Sequence, residues 1–192
     1  MRFAAGRTAK AAAVTAIALP FSLSCLTTPS HAQSPAPSPS GTFGAGCSAL
    51  AKKANTAKDK AMEAAAAYPQ LSQLVSAAVR ANLVGTLDGK SHITIFAPNA
   101  QAFQNVNGSQ LTSLLANRGE LKKVLTYHVV DQQITPNDLA KGTFTTVEGS
   151  KLTTSGSGTD FKVNGTAKIV CGNIKAANAT IYVVDSVLKP PS

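Results

Sequence analysis

The sequence predicts an α+β domain, with helices in its first half and mostly antiparallel strands in its second. Apolar residues within 71–87 and within 110–124 recur at intervals of three and four, as on one face of a helix. After Gly142 they alternate with polar residues in short runs, which is typical of strands exposed on one face. Asn164-Gly165 lies between two such runs and is a strong hairpin signal. Segregated helices and strands favour α+β over an alternating βαβ arrangement.

Composition narrows the class of protein. Hydrophobic residues make up 44% of the 192 residues, which argues against a disordered chain. Aromatic residues make up 5%, too few for a stacking platform that binds single-stranded nucleic acid. Charged residues are only 14%, which is typical of secreted proteins. The net charge is +9; without Arg2, Arg7 and Lys10, 15 basic and 9 acidic residues remain, a net of +6 scattered along the chain.

The first 32 residues have the pattern of a secretory signal peptide. A basic start precedes an uncharged apolar stretch at 11–23, shorter than the ~20 residues that a membrane helix needs. Small residues favour cleavage after Ala32; the alternative is lipidation at Cys25, which would anchor the chain to the envelope. No later segment could span a bilayer, so we expect an exported protein with no integral membrane segment. Residues 33–46, rich in Pro, Ser and Gly, predict a solvated linker.

The domain itself is expected to cover 47–192. The spacing predicts helices over 47–87 with a break at Pro69, a strand at 92–96, and a short helix capped by Asn99. Further predictions are a helix over 110–124 that Gly119 divides, a strand at 125–130, and a short helix that Thr135 caps. Six short strands are expected beyond them: 143–147, 151–154, 160–163, 167–170, 174–176 and 180–184.

Removal of the leader leaves two cysteines, Cys47 and Cys171. In an exported chain they most simply form a disulfide, because the compartment is oxidising. Reactive or metal-binding cysteines are the alternative, but neither cysteine belongs to a C-x-x-C motif or has a histidine near it in the sequence.

No catalytic motif is evident. The mature chain has only His92 and His128 as histidines, there is no G-x-S-x-G elbow, and the nine acidic residues are dispersed. The segment 85–91 has one residue too few between its glycines for a P-loop, and it precedes a strand instead of following one. We therefore expect no enzyme activity, no cofactor and no metal.

Three segments occur in an order and at a spacing that one known family shares. Residues 94–103 read TIFAPNAQAF, residues 125–130 read LTYHVV, and residues 178–190 read NATIYVVDSVLKP. Together they resemble the fasciclin (FAS1) domain, and the leader and cysteine pair are similar to the small secreted mycobacterial antigens of that family. The resemblance implies helices packed on a wedge of strands. Asn99 and Ala100 stand where the family usually has Thr followed by Asp or Asn, which weakens an adhesion role for that acid.

The resemblance also implies a function. It points to an adhesion module that binds an extracellular protein or matrix component. We also expect a monomer that binds no nucleic acid. By resemblance, the binding region is Tyr127 and His128 with Leu125 and Val130. On a strand, Tyr127 and His128 would point to opposite faces, with one of them buried. The competing interpretation is structural, with His128 tying the strand to the turn after Phe96. An extracellular carrier of small ligands and a secreted hydrolase are the other functions considered.

Overall fold

The computed structural model describes residues 41–50 and 56–191, with the side chains of residues 49 and 50 left out. The predicted signal peptide and Cys25 lie outside this range. The described helices are α1 Cys47–Leu50, α2 Ala61–Ala66, α3 Ser72–Arg80, α4 Val84–Asp88, α5 Ala100–Gln104, α6 Gly108–Ala116 and α7 Arg118–Tyr127. The described strands are β1 Ile93–Pro98, β2 Val129–Val130, β3 Lys141–Thr145, β4 Lys151–Ser157, β5 Asp160–Val163, β6 Ala167–Lys175 and β7 Ala179–Val184.

The seven strands form one mixed sheet in the order β2-β1-β7-β6-β5-β4-β3. β1 and β7 are parallel, and the other neighbouring pairs are antiparallel. A bridge between Val130 and Thr146 brings the two ends of the sheet together. The Val147 N–H donates to the Val129 carbonyl at 2.7 Å beside it. The sheet therefore nearly closes on itself as a wedge, as the resemblance implied.

Apolar side chains form two cores, one on each face of the sheet. The outer core lies between helices α2, α3, α4 and α7 and the strands β1 and β7. The inner core fills the wedge and contains the stacked rings of Phe96 and Tyr182. Every residue of β1 and β7 is buried because both faces are covered, which explains their nearly continuous apolar sequences. β3, β4 and β5 alternate buried and exposed positions, since only their inner face is covered.

The predicted strand at 125–130 is wrong over most of its length. α7 continues to Tyr127, and only Val129 and Val130 are extended. Thr126, although β-branched, fits the helix because its hydroxyl donates to the carbonyls of Lys122 and Lys123. Burial of Leu121, Leu125 and Tyr127 on the helix overrides the β propensity of the LTYHVV segment.

Other differences concern where elements begin and end. The long helix divides at Asn117, not at Gly119, because the Asn117 side chain caps α7 by accepting from the N–H groups of Gly119 and Glu120. The strands predicted at 167–170 and 174–176 are one bulged strand, β6.

Thr135 does not cap a helix: its N–H and hydroxyl both donate to the carboxylate of Asp138, which begins a single 3-10 turn. Asn99 caps α5 as predicted, accepting from the Ala102 N–H at 2.8 Å.

The N-terminal side of the domain begins earlier than expected. Phe43 exchanges two backbone hydrogen bonds with Gly172, and its buried ring packs edge-on against Phe161. At these positions the expected solvated linker is wrong. The predicted disulfide is confirmed: Cys47 and Cys171 are bonded, with their Cα atoms 4.8 Å apart. The bond fixes α1 to the central part of the sheet.

Candidate functional site

The Tyr-His pair lies at the carboxyl end of α7, where the chain leaves the helix and enters β2. The Tyr127 hydroxyl donates to the Lys151 carbonyl at 3.1 Å and accepts from the Asn164 amide at 2.8 Å. Tyr127 therefore ties the end of α7 to β4 and to the hairpin between β5 and β6. The aromatic body belongs to the inner core, and only 2% of the residue is exposed.

His128 connects α7 to the segment that follows β7. Its Nδ1 donates to the Val124 carbonyl at 2.7 Å, and its Nε2 accepts from the Leu188 N–H at 3.0 Å. One nitrogen donating and the other accepting defines a neutral imidazole. Burial lowers the pKa of His128 from 6.5 to about 4, although the bond to Val124 opposes this change.

His128 therefore has the structural role that was expected of it, but its side chain binds a different segment of the chain. Its side chain binds the C-terminal segment, whereas only its backbone carbonyl reaches β1, accepting from the Phe96 N–H at 2.8 Å. The expectation that just one of Tyr127 and His128 is buried is wrong. Both are buried because they lie at a helix end between two cores, and not on opposite faces of a strand.

The two neighbours implied by the resemblance are also internal. Leu125 belongs to the outer core and Val130 to the inner core. All four residues of the implied binding region are thus buried, and none of them forms an exposed surface. One of the four, His128, contacts the walls of a groove.

The groove has a volume of about 550 Å³ and lies between α6, α7 and residues 187–191. Its apolar lining comes from Val106, Leu114, Val124, Val187, Pro190 and Pro191. Val124 accepts from the ring of His128, and Leu188, next to Val187, donates to the same ring. One buried imidazole therefore fixes the distance between two walls of the groove.

The rim of the groove is polar and carries both signs of charge. Glu120, Lys123 and Glu148 line it, and the Lys189 ammonium reaches across to the side-chain oxygen of Gln110 at 3.1 Å. α6 itself contains no fully buried residue, so this wall is held less firmly than α7. An apolar floor with a polar rim is the anatomy of a protein-binding surface.

The chemistry available here is limited. Both nitrogens of His128 are occupied by backbone groups, so the ring cannot act as a general base without leaving its place. Within residues 41–50 and 56–191, no three His, Cys, Asp or Glu side chains gather closely enough to hold a metal ion. In the same ranges, none of the helices combines the length and the apolar composition needed to cross a bilayer.

The fold and the three motifs define the class of protein. Residues 69–190 match the Fasciclin domain family, and the chain belongs to that family. The structure is similar to the FAS1 domain pair of the insect cell adhesion molecule Fasciclin I, with a TM-score of 0.53 and 17% identity. That likeness covers 64% of this chain and 46% of the two-domain chain.

Particular relatives are closer in sequence. The immunogenic protein MPB70 of Mycobacterium bovis is 39% identical over 140 residues, which cover 70% of this chain and 71% of the relative. The cell surface glycolipoprotein MPB83 of the same species is 34% identical, and the alignment covers 96% of both chains. A Synechocystis protein, sll1483, is 36% identical over 70% of this chain and 77% of its own.

The sequence predicted the buried residue that supports the groove, His128, but not the residues that line it. The groove residues Val124, Val187 and Lys189 carry no chemical signature of their own. One available signal was the end of the third motif, where an apolar residue and a proline flank Lys189 outside any strand. An apolar pattern that continues past the last strand indicates a segment packed back on the domain.

Proposed function

We propose that this chain is a secreted or cell-surface adhesion module without catalytic activity, which binds an extracellular protein or matrix component through the groove between α6, α7 and residues 187–191. The observation that carries the proposal is the apolar groove held open by buried His128. Its lining is open to solvent along one side, which suits a protein segment better than an enclosed small molecule.

The relatives support this function and location. One relative is named as a cell surface glycolipoprotein, and the solved fold neighbour is a cell adhesion molecule. The signal-peptide pattern of residues 1–32 fits export. Because the glycolipoprotein aligns over nearly the whole chain, lipid anchoring at Cys25 stays the alternative to free secretion. Mass spectrometry of the exported protein distinguishes a free residue 33 from a lipidated Cys25.

A pair of variants on one helix tests the groove. Ser113 lines the groove and is exposed, so Ser113→Arg fills it with a long charged side chain. Ala116 is an exposed residue of the same helix that does not line the groove, so Ala116→Arg adds the same charge elsewhere. Neither substitution removes a buried contact, and both should leave the thermal midpoint within about 2 °C.

The measurement is retention of cultured cells on wells coated with the mature protein. We expect Ser113→Arg to reduce retention to the level of uncoated wells and Ala116→Arg to retain cells like the unaltered protein. Equal retention by all three proteins would refute the groove as the contact surface. Hydrolysis of an ester, peptide or glycoside substrate that disappears with His128→Gln would refute the non-catalytic assignment.

A further inference from the structure

Strand pairing gathers lysines that are scattered along the sequence. The outward side chains of β3 to β6 include Lys141, Thr143, Thr145, Lys151, Thr153, Ser155, Lys162 and Lys168, and we call the surface formed by these eight residues the lysine face. All eight residues are exposed, and among the described residues nothing packs over them. Helices cover the outer surface of β1, of β7 and of the second half of β6, so the outer surface of β3, β4, β5 and the start of β6 remains open.

The register aligns four of these residues in one row across four strands. Lys141 lies opposite Ser155, Ser155 opposite Lys162, and Lys162 opposite Lys168. With strands about 4.8 Å apart, the row is roughly 14 Å long, and its three lysines project from the same side. Lys151 lies on the same face opposite Thr145.

This arrangement is unfavourable for the folded domain by itself. Like charges placed directly opposite each other, such as Lys162 and Lys168, destabilise a sheet. One carboxylate offsets part of the repulsion, since Asp160 lies 3.2 Å from the Lys168 ammonium. No other carboxylate of the described residues pairs with a lysine of this face, because the second ion pair joins Lys90 to Asp131 elsewhere. Three lysines therefore remain without an acidic partner in the part of the chain that the structure describes.

We propose that the lysine face binds a linear sulfated polysaccharide. Ammonium groups in a row attract a polymer that carries repeated negative groups, and the Thr and Ser hydroxyls between them can donate to sulfate or sugar oxygens. The side-chain types that the lysine face lacks indicate which class of ligand binds it. It offers no aliphatic or aromatic anchor for a protein partner and none to insert into a membrane. The aromatic rings of these strands, Phe144 and Phe161, point into the inner core and cannot stack on bases.

This surface is separate from the groove of the proposed function, and the two can fail independently. The test uses the mature protein and heparin as the probe, with affinity measured by surface plasmon resonance at several salt concentrations. The variant is Lys141→Gln with Lys162→Gln. The matched control is Lys58→Gln with Lys122→Gln, which removes the same charge from two exposed lysines outside the lysine face.

We expect the Lys141/Lys162 variant to bind heparin at least tenfold more weakly, since each lysine beside an anionic surface contributes roughly fivefold. The control pair should change affinity less than threefold. Asp160→Asn removes the carboxylate that pairs with the Lys168 ammonium and should strengthen binding severalfold, a result that loss of folding cannot mimic. The logarithm of affinity against the logarithm of salt concentration should have a slope of roughly −2 to −3 for the unaltered protein.

Three results would overturn the proposal. The first is an equal loss of heparin affinity in the Lys141/Lys162 variant and in the control pair, which would mean attraction by net charge alone. The second is unchanged or weaker heparin binding by Asp160→Asn. The third is binding of duplex DNA or of phosphatidylserine vesicles as tight as that of heparin, with the same dependence on Lys141 and Lys162. Ser113→Arg should leave heparin affinity unchanged, which separates this surface from the groove.

Discussion

The buried imidazole of His128 makes a specific prediction about stability and pH. The folded protein resists protonation of this ring until the pH approaches its pKa of about 4, whereas the unfolded chain takes up the proton near pH 6.5. The unfolded state therefore binds more protons between these values. The contribution of His128 to the free energy of unfolding is fully present above pH 6.5 and is lost as the pH falls towards 4. At 1.36 kcal/mol per pH unit, the loss is about 3 kcal/mol.

The perturbation that isolates this effect is His128→Gln. It removes the titrating ring, and at pH 7 we expect it to lower the free energy of unfolding by about 1–3 kcal/mol through weakened bonds to Val124 and Leu188. The decisive quantity is the difference in unfolding free energy between the unaltered protein and the variant. It should fall by about 3 kcal/mol between pH 7 and pH 4, and so reach zero or become negative, because contributions from all other groups cancel.

Urea denaturation followed by far-UV circular dichroism at half-unit pH steps measures this difference. His92→Asn is the control, because His92 is exposed and its backbone is left-handed, a conformation that asparagine tolerates. That variant should keep the full pH dependence of the unaltered protein. A difference between the unaltered protein and His128→Gln that stays constant from pH 7 to pH 4 would refute a neutral buried imidazole at this position.

Four further variants have outcomes that follow from the local structure. Replacing Cys47 and Cys171 together by serine and alanine should cost about 5 kcal/mol, because the bond closes a sequence separation of 124 residues; chemical denaturation should then no longer respond to reductant. Tyr127→Phe removes a hydroxyl that has two hydrogen-bond partners and should cost about 1–3 kcal/mol in a thermal melt, whereas a negligible change would mean that water replaces the hydroxyl. Gly172→Ala would place a Cβ against the ring of Phe43 and should destabilise the domain by about 1–3 kcal/mol. Gly85→Ala, at an open helical position, should stabilise the domain by up to about 1 kcal/mol, and the opposite ranking in calorimetry would contradict the packing described here.

Local sequence patterns predicted those elements in which the intrinsic preference of the residues agrees with their environment in the fold. Asn99 caps α5, Phe103 packs onto the outer core, and the alternation in β4 and β5 matches their exposed and buried faces. The segment 125–130 failed because β-branched and aromatic residues suit a strand locally, while contacts of Leu125 and Tyr127 with two separate cores fix a helix end. Such contacts join residues far apart in the chain and leave no local periodicity.

The candidate site was predictable only in part, for a related reason. A buried histidine that needs partners could be expected from its neighbours, but its actual partner at Leu188 is 60 positions away. The groove depends on how α6 and the C-terminal segment approach α7, and no short motif encodes that approach. The lysine face depends on strand register: Lys141, Lys162 and Lys168 are isolated in the sequence and become a row only when β3 to β6 pair.

The position of β7 has a consequence for how the domain assembles. This strand is the last of the seven described strands to be synthesised, yet it lies between β1 and β6. Among the described strands, it is the one that joins β1 to the β3–β6 hairpins on that side of the sheet. A nascent chain that ends before Ala179 has two halves of a sheet with an open seam between them. Completing the seam requires pairing with Ile93, more than eighty positions earlier, which is a slow step for a chain of this size. The polypeptide therefore stays open until its final strand is available.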